Sequence, residues 1–159
     1  MKRRAFLALI PVLPLAGCGF HLRGTHAIPY RSIYVDAPRD SAAGQQLASA
    51  LRSQDIVVPE NAKDADAVLK LYEEKKTRSI LSLSGGGRVR EYLINYALGY
   101  SLTGKSGREI YPAATIQLSS DFTYDDNQYL AKTAEENLLY RDLQDDAVQQ
   151  ILRRLARPN

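Results

Sequence analysis

One stretch of the chain alternates between large apolar side chains and mostly polar or small ones, and it constrains the fold more than any other feature. Between residues 92 and 102 a large apolar residue occupies every second position, and residues such as Asn95 and Ser101 fill the positions between them. A repeat of two predicts a half-buried strand of an antiparallel sheet. Glycines at 85–87 and within 104–107 predict hairpin turns on both sides of this strand.

The strands that these turns join to it are longer and less regular. One begins at residues 67–72, runs through the charged segment 73–78 and resumes at 80–83; the other covers 110–124. A polar interior in an otherwise apolar strand favours an edge strand or a hairpin that projects into solvent. The sequence therefore predicts three consecutive antiparallel strands.

Two helices and two short strands complete the prediction. Residues 32–35 and 56–58 are short β-branched segments, each followed by a proline within a few residues. Asp40 or Ser41 can cap a helix that runs to about residue 53. Residues 133–136 have the pattern of a capping box, with Thr at the N-cap and Glu at the third helical position, and open an amphipathic helix that Pro158 ends.

The order β-α-β-β-β-β-α, counting the short strand at 56–58, indicates an α+β fold. We expect a mixed or antiparallel sheet of about four main strands, with two helices packed on one face.

The beginning of the chain predicts a bacterial lipoprotein signal. Three cations precede an apolar run, 5–16, which ends in the sequence Leu15-Ala16-Gly17-Cys18. The run is shorter than the roughly 20 residues of a membrane-spanning helix and contains two prolines. We expect removal of residues 1–17, diacylglyceryl and N-acyl modification of Cys18, a lipidated tether over 18–31 and a single domain over 32–159. Several acyl chains would hold the protein on a membrane.

The anchor places the protein on the outside of a bacterial inner membrane or on the outer membrane. Gly19 follows the cysteine, whereas enterobacteria commonly retain lipoproteins with Asp there in the inner membrane, so we expect the outer membrane. The leader carries three cations and no acid, and its removal leaves 18 basic and 18 acidic side chains. A global positive field for nucleic acid is therefore absent.

The sequence offers no arrangement typical of catalysis. Its two histidines, His21 and His26, lie in the tether without a ligand partner at helical or strand spacing, and its acidic pairs are adjacent in sequence, so the two carboxylates of a pair point in different directions. The triple glycine lacks the Lys and Ser or Thr of a phosphate-binding loop. We expect a binding or assembly protein with no catalytic residues, metal or cofactor.

Four segments resemble one family over nearly the whole mature chain. The segment that begins at the anchor reads Cys18-Gly19-Phe20-His21-Leu22-Arg23-Gly24, and it is joined by Glu91-Tyr92, by Arg108-Glu109-Ile110-Tyr111-Pro112 and by Leu130-Ala131-Lys132. These are similar in order and spacing to LptE, also called RlpB, the lipopolysaccharide-assembly lipoproteins of Gram-negative bacteria. The expected order of strands and helices also fits the two-helices-on-a-sheet fold of that family.

The resemblance implies a complex with LptD, a large outer-membrane β-barrel. Members of the family plug the lumen of the barrel, assist its assembly and bind lipopolysaccharide on its way to the cell surface. The family's lipopolysaccharide contact implies Lys132 and an arginine in the loop before Glu91. A glycine stands here where that arginine would fall, and Arg88 or Arg90 could replace it from the same hairpin. Phe20, His21, Leu22, Arg23 and Gly24 would orient the domain against the barrel or the membrane.

Two other classes of protein share some of these features. An envelope scaffold lipoprotein that binds peptidoglycan, or another envelope machine, would have the same anchor and fold class. An envelope hydrolase would need an acid–base pair or a metal cluster, which the sequence does not offer.

Overall fold

The computed structural model describes residues 28–157, which fold around a four-stranded mixed sheet. In spatial order the strands are β1 (Ile33–Asp36), β2 (Ala67–Leu83), β3 (Val89–Gly104) and β4 (Glu109–Thr123). β1 runs parallel to β2, and the other neighbours are antiparallel. Two helices, α1 (Ala42–Arg52) and α2 (Tyr129–Leu155), pack with the strands into one hydrophobic core. The predicted α+β class is confirmed.

The alternating segment is β3, and its apolar positions lie under the helices. The buried positions are Ile94, Tyr96, Leu98, Tyr100 and Leu102. Small and polar residues such as Asn95 and Ala97 lie on the opposite, partly exposed face of the sheet. The sheet therefore buries one face against α1 and α2 and leaves the other open, as its period of two predicts.

Helix α1 begins at one of the two positions that the sequence predicts for its N-cap. Ser41 is the N-cap: its Oγ accepts a hydrogen bond from the Gly44 N–H at 3.0 Å. The same hydroxyl donates to Glu74 on β2 at 2.6 Å, and the other carboxylate oxygen of Glu74 accepts from the Tyr96 hydroxyl at 3.1 Å. This small network ties the start of α1 to the centre of the sheet.

The predicted start of the second helix is wrong. α2 begins at Tyr129, so Thr133 lies inside the helix and its Oγ1 donates to the Tyr129 carbonyl at 2.9 Å, a bond between residues four apart. Segment 130–132, expected before the helix, forms part of its first turns. A short 3₁₀ turn (Asp126–Gln128), whose N-cap is Asp125, leads directly into α2. This turn, and not a capping box, precedes the helix.

The predicted short strand at 56–58 is also wrong. Only one isolated bridge, between Ser32 and Val57, forms there. The preceding Asp55 has a positive φ of 61°, and Pro59 lacks the N–H that a longer ladder would need. Ile28 and Tyr30, which precede the expected domain boundary, pack against the core.

β2 extends far beyond the strand beside it. β1 pairs only with Ala67–Lys70, so within the described chain β3 is the one strand that pairs with residues 71–83. The expected edge character of this segment is confirmed. We call the end of the sheet with residues 78–91 and 122–136 the tip, and the opposite end, with residues 66–71, 100–111 and 151–157, the base.

Candidate functional site

The hairpin turn at the tip carries two exposed cations. Its backbone is fixed by hydrogen bonds from the Ser84 N–H to the Arg88 carbonyl at 2.8 Å and from the Gly87 N–H to the Ser84 carbonyl at 2.9 Å. Gly87 has a φ of 75°, which favours glycine because it has no Cβ. Arg88 and Arg90 are exposed, and within residues 28–157 neither has a carboxylate oxygen within 4.0 Å of its guanidinium.

The structure brings Lys132 to the same end of the sheet, in the first turns of α2. Its ammonium donates to Glu135 Oε2 at 2.8 Å, and its side chain is 17% exposed. An ammonium has three N–H donors, so Lys132 can bind another oxygen while it keeps this one. Tyr129 and Leu130 beside it are exposed. Lys132 is therefore a cation with a partner, unlike the two arginines of the turn.

A chain of contacts connects the hairpin to α2. The Arg78 guanidinium donates to Glu136 Oε2 at 2.8 Å and lies 4.4 Å from the centre of the Tyr92 ring. Tyr92 packs edge-to-face on Tyr124 at 5.0 Å, and the Tyr124 N–H donates to the Arg90 carbonyl at 2.8 Å. These contacts run from β2 and β3 to the start of α2, and they fix the position of the hairpin relative to the helix.

Close pairs set the electrostatics of the tip. Burial lowers the pKa of the Arg78 guanidinium, but the hydrogen bond and the charge of Glu136 raise it by more, so the guanidinium stays charged. The pairs Arg78–Glu136 and Lys132–Glu135 each cancel one positive charge locally. Arg88 and Arg90 take part in neither pair, and guanidinium groups suit phosphate because they can bind two oxygens at once.

Apolar side chains accompany these cations at the end of β2. Ile80, Leu81 and Leu83 are 57%, 50% and 56% exposed. The sequence analysis did not single them out. A signal was present, because the densely charged segment 73–78 is followed by 79–83, which has no charge.

The groove beside Ser41 is the other polar cluster that the structure forms. Pro38, Asp40 and Ser41 line it together with residues of β2, Glu74 among them. The Glu74 carboxylate is already held by two hydroxyl donors, from Ser41 and Tyr96. In the described part of the chain, no three His, Cys, Asp or Glu residues are grouped so that they could hold a metal ion. The cluster connects α1 to the sheet, which is a structural role.

Several predicted features lie outside the described residues. They are the signal at 1–17, Cys18, the segment Phe20, His21, Leu22, Arg23 and Gly24, His26, and Pro158. Among residues 28–157, neither α-helix combines the length and the apolar character needed to cross a bilayer.

Comparison with known proteins identifies relatives over almost the full chain. The family model described as "LptE: Lipopolysaccharide-assembly" matches residues 30–155. Two similar proteins, both named LPS-assembly lipoprotein LptE, come from Pectobacterium atrosepticum (30% identity over 98% of this chain and 86% of that protein) and Yersinia enterocolitica (32% identity over 98% and 77%). Among solved structures, a lipoprotein B from Nitrosomonas europaea is similar with a TM-score of 0.75 and 35% identity, covering 87% of this chain and 90% of that one. The rare lipoprotein B from Shewanella oneidensis gives a TM-score of 0.70 and 25% identity, covering 79% and 93%.

Proposed function

The chain belongs to the LptE family of lipopolysaccharide-assembly proteins, and from this membership we propose that it is an outer-membrane lipoprotein that acts in complex with the β-barrel LptD. In this proposal it plugs the barrel lumen, assists assembly of the barrel, and binds lipopolysaccharide during its transport to the cell surface. The match over residues 30–155, with its named relatives, is the observation that carries the proposal. The role is binding and assembly, without catalysis, metal or cofactor.

The open face of the sheet supports the position inside a barrel. It presents mainly small or uncharged polar side chains at its centre, among them Thr77, Asn95, Gln117 and Ser119, which line a shallow depression together with Lys75. The lumen of an outer-membrane barrel is polar, so a face of this composition can contact it. The equal numbers of acidic and basic residues expected in the mature chain avoid a strong field of one sign.

The turn cations support the binding of lipopolysaccharide. Arg88 and Arg90 project from a rigid hairpin turn without acidic partners in the described structure, and Lys132 lies at the same end of the sheet. Phosphate groups of the lipid A part would accept hydrogen bonds from these side chains. Because Lys132 is already paired with Glu135, we assign the larger share of the phosphate contact to the two arginines.

The expected anchor completes the proposal. Cys18 would carry the acyl chains that hold the protein on the outer membrane, and Phe20, His21, Leu22, Arg23 and Gly24 would orient the domain against the barrel or membrane. Changing Cys18 to Ala should abolish lipidation, which labelled palmitate would report. It should leave barrel binding in place if the plug contacts provide most of the affinity.

Affinity purification tests the partner. A C-terminally tagged chain, purified from outer membranes in mild detergent, should bring a large β-barrel with it in about equal amount. If a correctly lipidated, outer-membrane chain recovers no barrel, the plug proposal is wrong, and recovery of peptidoglycan or another envelope complex would favour the scaffold alternative.

Charge reversal tests the ligand. The variant Arg88→Glu, Arg90→Glu and Lys132→Glu should weaken lipopolysaccharide binding in a salt-matched assay while its unfolding transition stays cooperative. The matched control reverses Lys105, Arg108 and Arg141, three exposed cations that lie away from the tip, two of them in the other hairpin turn. Wild-type affinity in the tip variant, or equal losses in both variants, would contradict the assigned site.

A further inference from the structure

The exposed apolar end of β2 calls for an explanation of its own. Folded proteins commonly expose single apolar side chains, but three within four residues of one strand form a patch that marks an interaction site. Ile80, Leu81 and Leu83 are each at least half exposed, and no charged residue occurs within 79–83. The preceding segment, 73–78, has a charge at five of its six positions. The strand β2 therefore has a charged part, 73–78, followed directly by an uncharged and mostly apolar part, 79–83.

The backbone in this segment does not suit the addition of another protein strand. The pairing of β2 with β3 is irregular between Ile80 and Ser82 and again between Ser82 and Leu83, and Leu81 has no partner residue in the ladder. Bulges of this kind twist an edge and interrupt its row of hydrogen-bonding groups, which blocks regular pairing with another strand. An apolar occupant that needs no backbone hydrogen bonds fits this edge better than a peptide does.

The patch and the turn cations belong to the same few residues of hairpin. Leu83 lies opposite Val89 in the ladder, so Arg88 and Arg90 flank the residue that pairs with it. The hydrogen bond between Ser84 and Arg88 holds the two sides of the turn together. Guanidinium groups and aliphatic side chains thus occur within the same few residues of one hairpin, a combination that matches a ligand with anionic head groups joined to hydrocarbon chains.

We propose that Ile80, Leu81 and Leu83 form the hydrocarbon-contact part of the binding site, on which acyl chains of the lipid lie while its phosphates contact Arg88 and Arg90. This inference rests on the proposed function. It adds that the acyl chains and the phosphates of one ligand contact different residues of the same hairpin. It also explains why the end of β2 stays apolar although it lies at an open edge.

The test compares two probes on the full chain purified in mild detergent. One is intact lipopolysaccharide, and the other is the same lipopolysaccharide after complete removal of its acyl chains. The double variant Leu81→Ser and Leu83→Ser should bind the intact lipid at least roughly ten-fold more weakly, because aliphatic contact is lost. Its affinity for the deacylated probe should equal that of wild type. The matched control, Val57→Ser with Leu138→Ser, changes two other exposed apolar residues away from the tip and should leave both affinities unchanged.

The outcomes separate this inference from the proposed function. If wild type binds intact lipopolysaccharide and the double variant binds it equally well, the apolar contact is wrong and the function stands. An equal loss for both probes would also overturn the inference, because it would show a general disturbance of the hairpin. If wild type binds neither probe, both proposals fall. Vesicles of phosphatidylglycerol supply the same chemistry from another source, and binding to them as tight as to lipopolysaccharide would overturn the assignment to the glycolipid.

Discussion

The base and the tip of the sheet are built on the same pattern but differ in what covers them. At the base, Leu69, Leu102 and Tyr111 lie opposite one another across three strands and all are buried. At the tip the corresponding row begins with Ile80, which is mostly exposed, followed by Tyr92 and Phe122. Burial of apolar area stabilises the fold mainly at the base, so the tip is free to keep exposed apolar and cationic groups for a ligand.

The two ends of α2 show the same difference. At the base the Tyr111 hydroxyl lies 2.9 Å from the Arg154 carbonyl and 3.1 Å from the Arg157 carbonyl, so its one proton is shared between two carbonyls at the helix end, of which that of Arg154 also accepts from the Arg157 N–H. At the tip α2 is held by the ion pair Arg78–Glu136, in which the arginine side chain is 44% exposed. Exposed ion pairs contribute little to stability, so the tip is fixed in position more than it is stabilised.

The largest expected effect tests the difference in burial directly. Leu102→Ala should reduce the free energy of unfolding by about 2–5 kcal/mol, because it removes a fully buried side chain and leaves a cavity. Ile80→Ala, at the exposed end of the same sheet, should cost less than about 1 kcal/mol. Urea denaturation of both variants measures the difference. Similar losses would show that the tip supports the fold as much as the base does.

The second prediction concerns the end of α2. Tyr111→Phe should lower the free energy of unfolding by about 1 kcal/mol, because the last turn of the helix loses a side-chain donor in a partly buried place. Tyr72→Phe is the matched control. Its hydroxyl also donates to a carbonyl, that of Ala114 at 3.0 Å, but in an exposed place where water can replace it. In thermal unfolding, the Tm of Tyr111→Phe should be clearly lower than the Tm of Tyr72→Phe. The reverse order would contradict the proposed role of the Tyr111 hydroxyl at the end of α2.

The third prediction separates position from stability at the tip. Arg78→Gln should change the free energy of unfolding by less than about 1 kcal/mol. It should still lower lipopolysaccharide affinity several-fold, because the hairpin arginines lose their fixed relation to α2. The exchange Arg78→Glu with Glu136→Arg restores the pair but not the contact with Tyr92, and it should recover part of the affinity. Equal affinities in all three proteins would mean that this pair does not position the site.

The sequence predicts the base better than the tip. The alternation in β3 and the glycines in both turns identify the buried face, because a period of two has only one way to bury most of the apolar residues against helices. The start of α2 is not predicted, since Thr133 and Glu136 have the residue types of a capping box but make other contacts, with Tyr129 and Arg78. The contact of Glu136 with Arg78 joins residues far apart in the chain, so no local pattern contains it, and the bond from Thr133 forms only because the helix starts one turn earlier.

The same reason applies to the candidate site. The cations Arg88, Arg90 and Lys132 could be chosen by resemblance, but the pairing of Lys132 with Glu135 appears only in three dimensions. The apolar end of β2 has a visible sequence signal, but an apolar strand segment predicts core, and only the structure shows that Ile80, Leu81 and Leu83 are exposed. The candidate site at the tip is therefore visible only in the structure, because its apolar strand residues are exposed, whereas those at the base are buried.

The smallest expected difference concerns pH and Tyr96, which lies between the two ends. Burial, and then the charge and hydrogen bond of Glu74, raise the pKa of the Tyr96 hydroxyl above its ordinary value of 10.0. The folded state therefore keeps this proton at a pH where the unfolded chain loses it. The associated stability is fully present below pH 10 and is lost as the pH rises above it.

Tyr96→Phe removes this dependence and also the donor to one Glu74 oxygen. Between pH 8 and pH 9 the variant should be less stable than wild type by a constant amount of about 1 kcal/mol. Above pH 10 its stability should fall less steeply, so the two curves converge. The remaining slope includes Tyr100 and Tyr140, whose pKa values are also raised mainly by burial. Parallel curves from urea denaturation up to pH 11 would show that Tyr96 does not titrate with unfolding, and that the buried centre of the sheet carries no pH-dependent part of its stability at this residue.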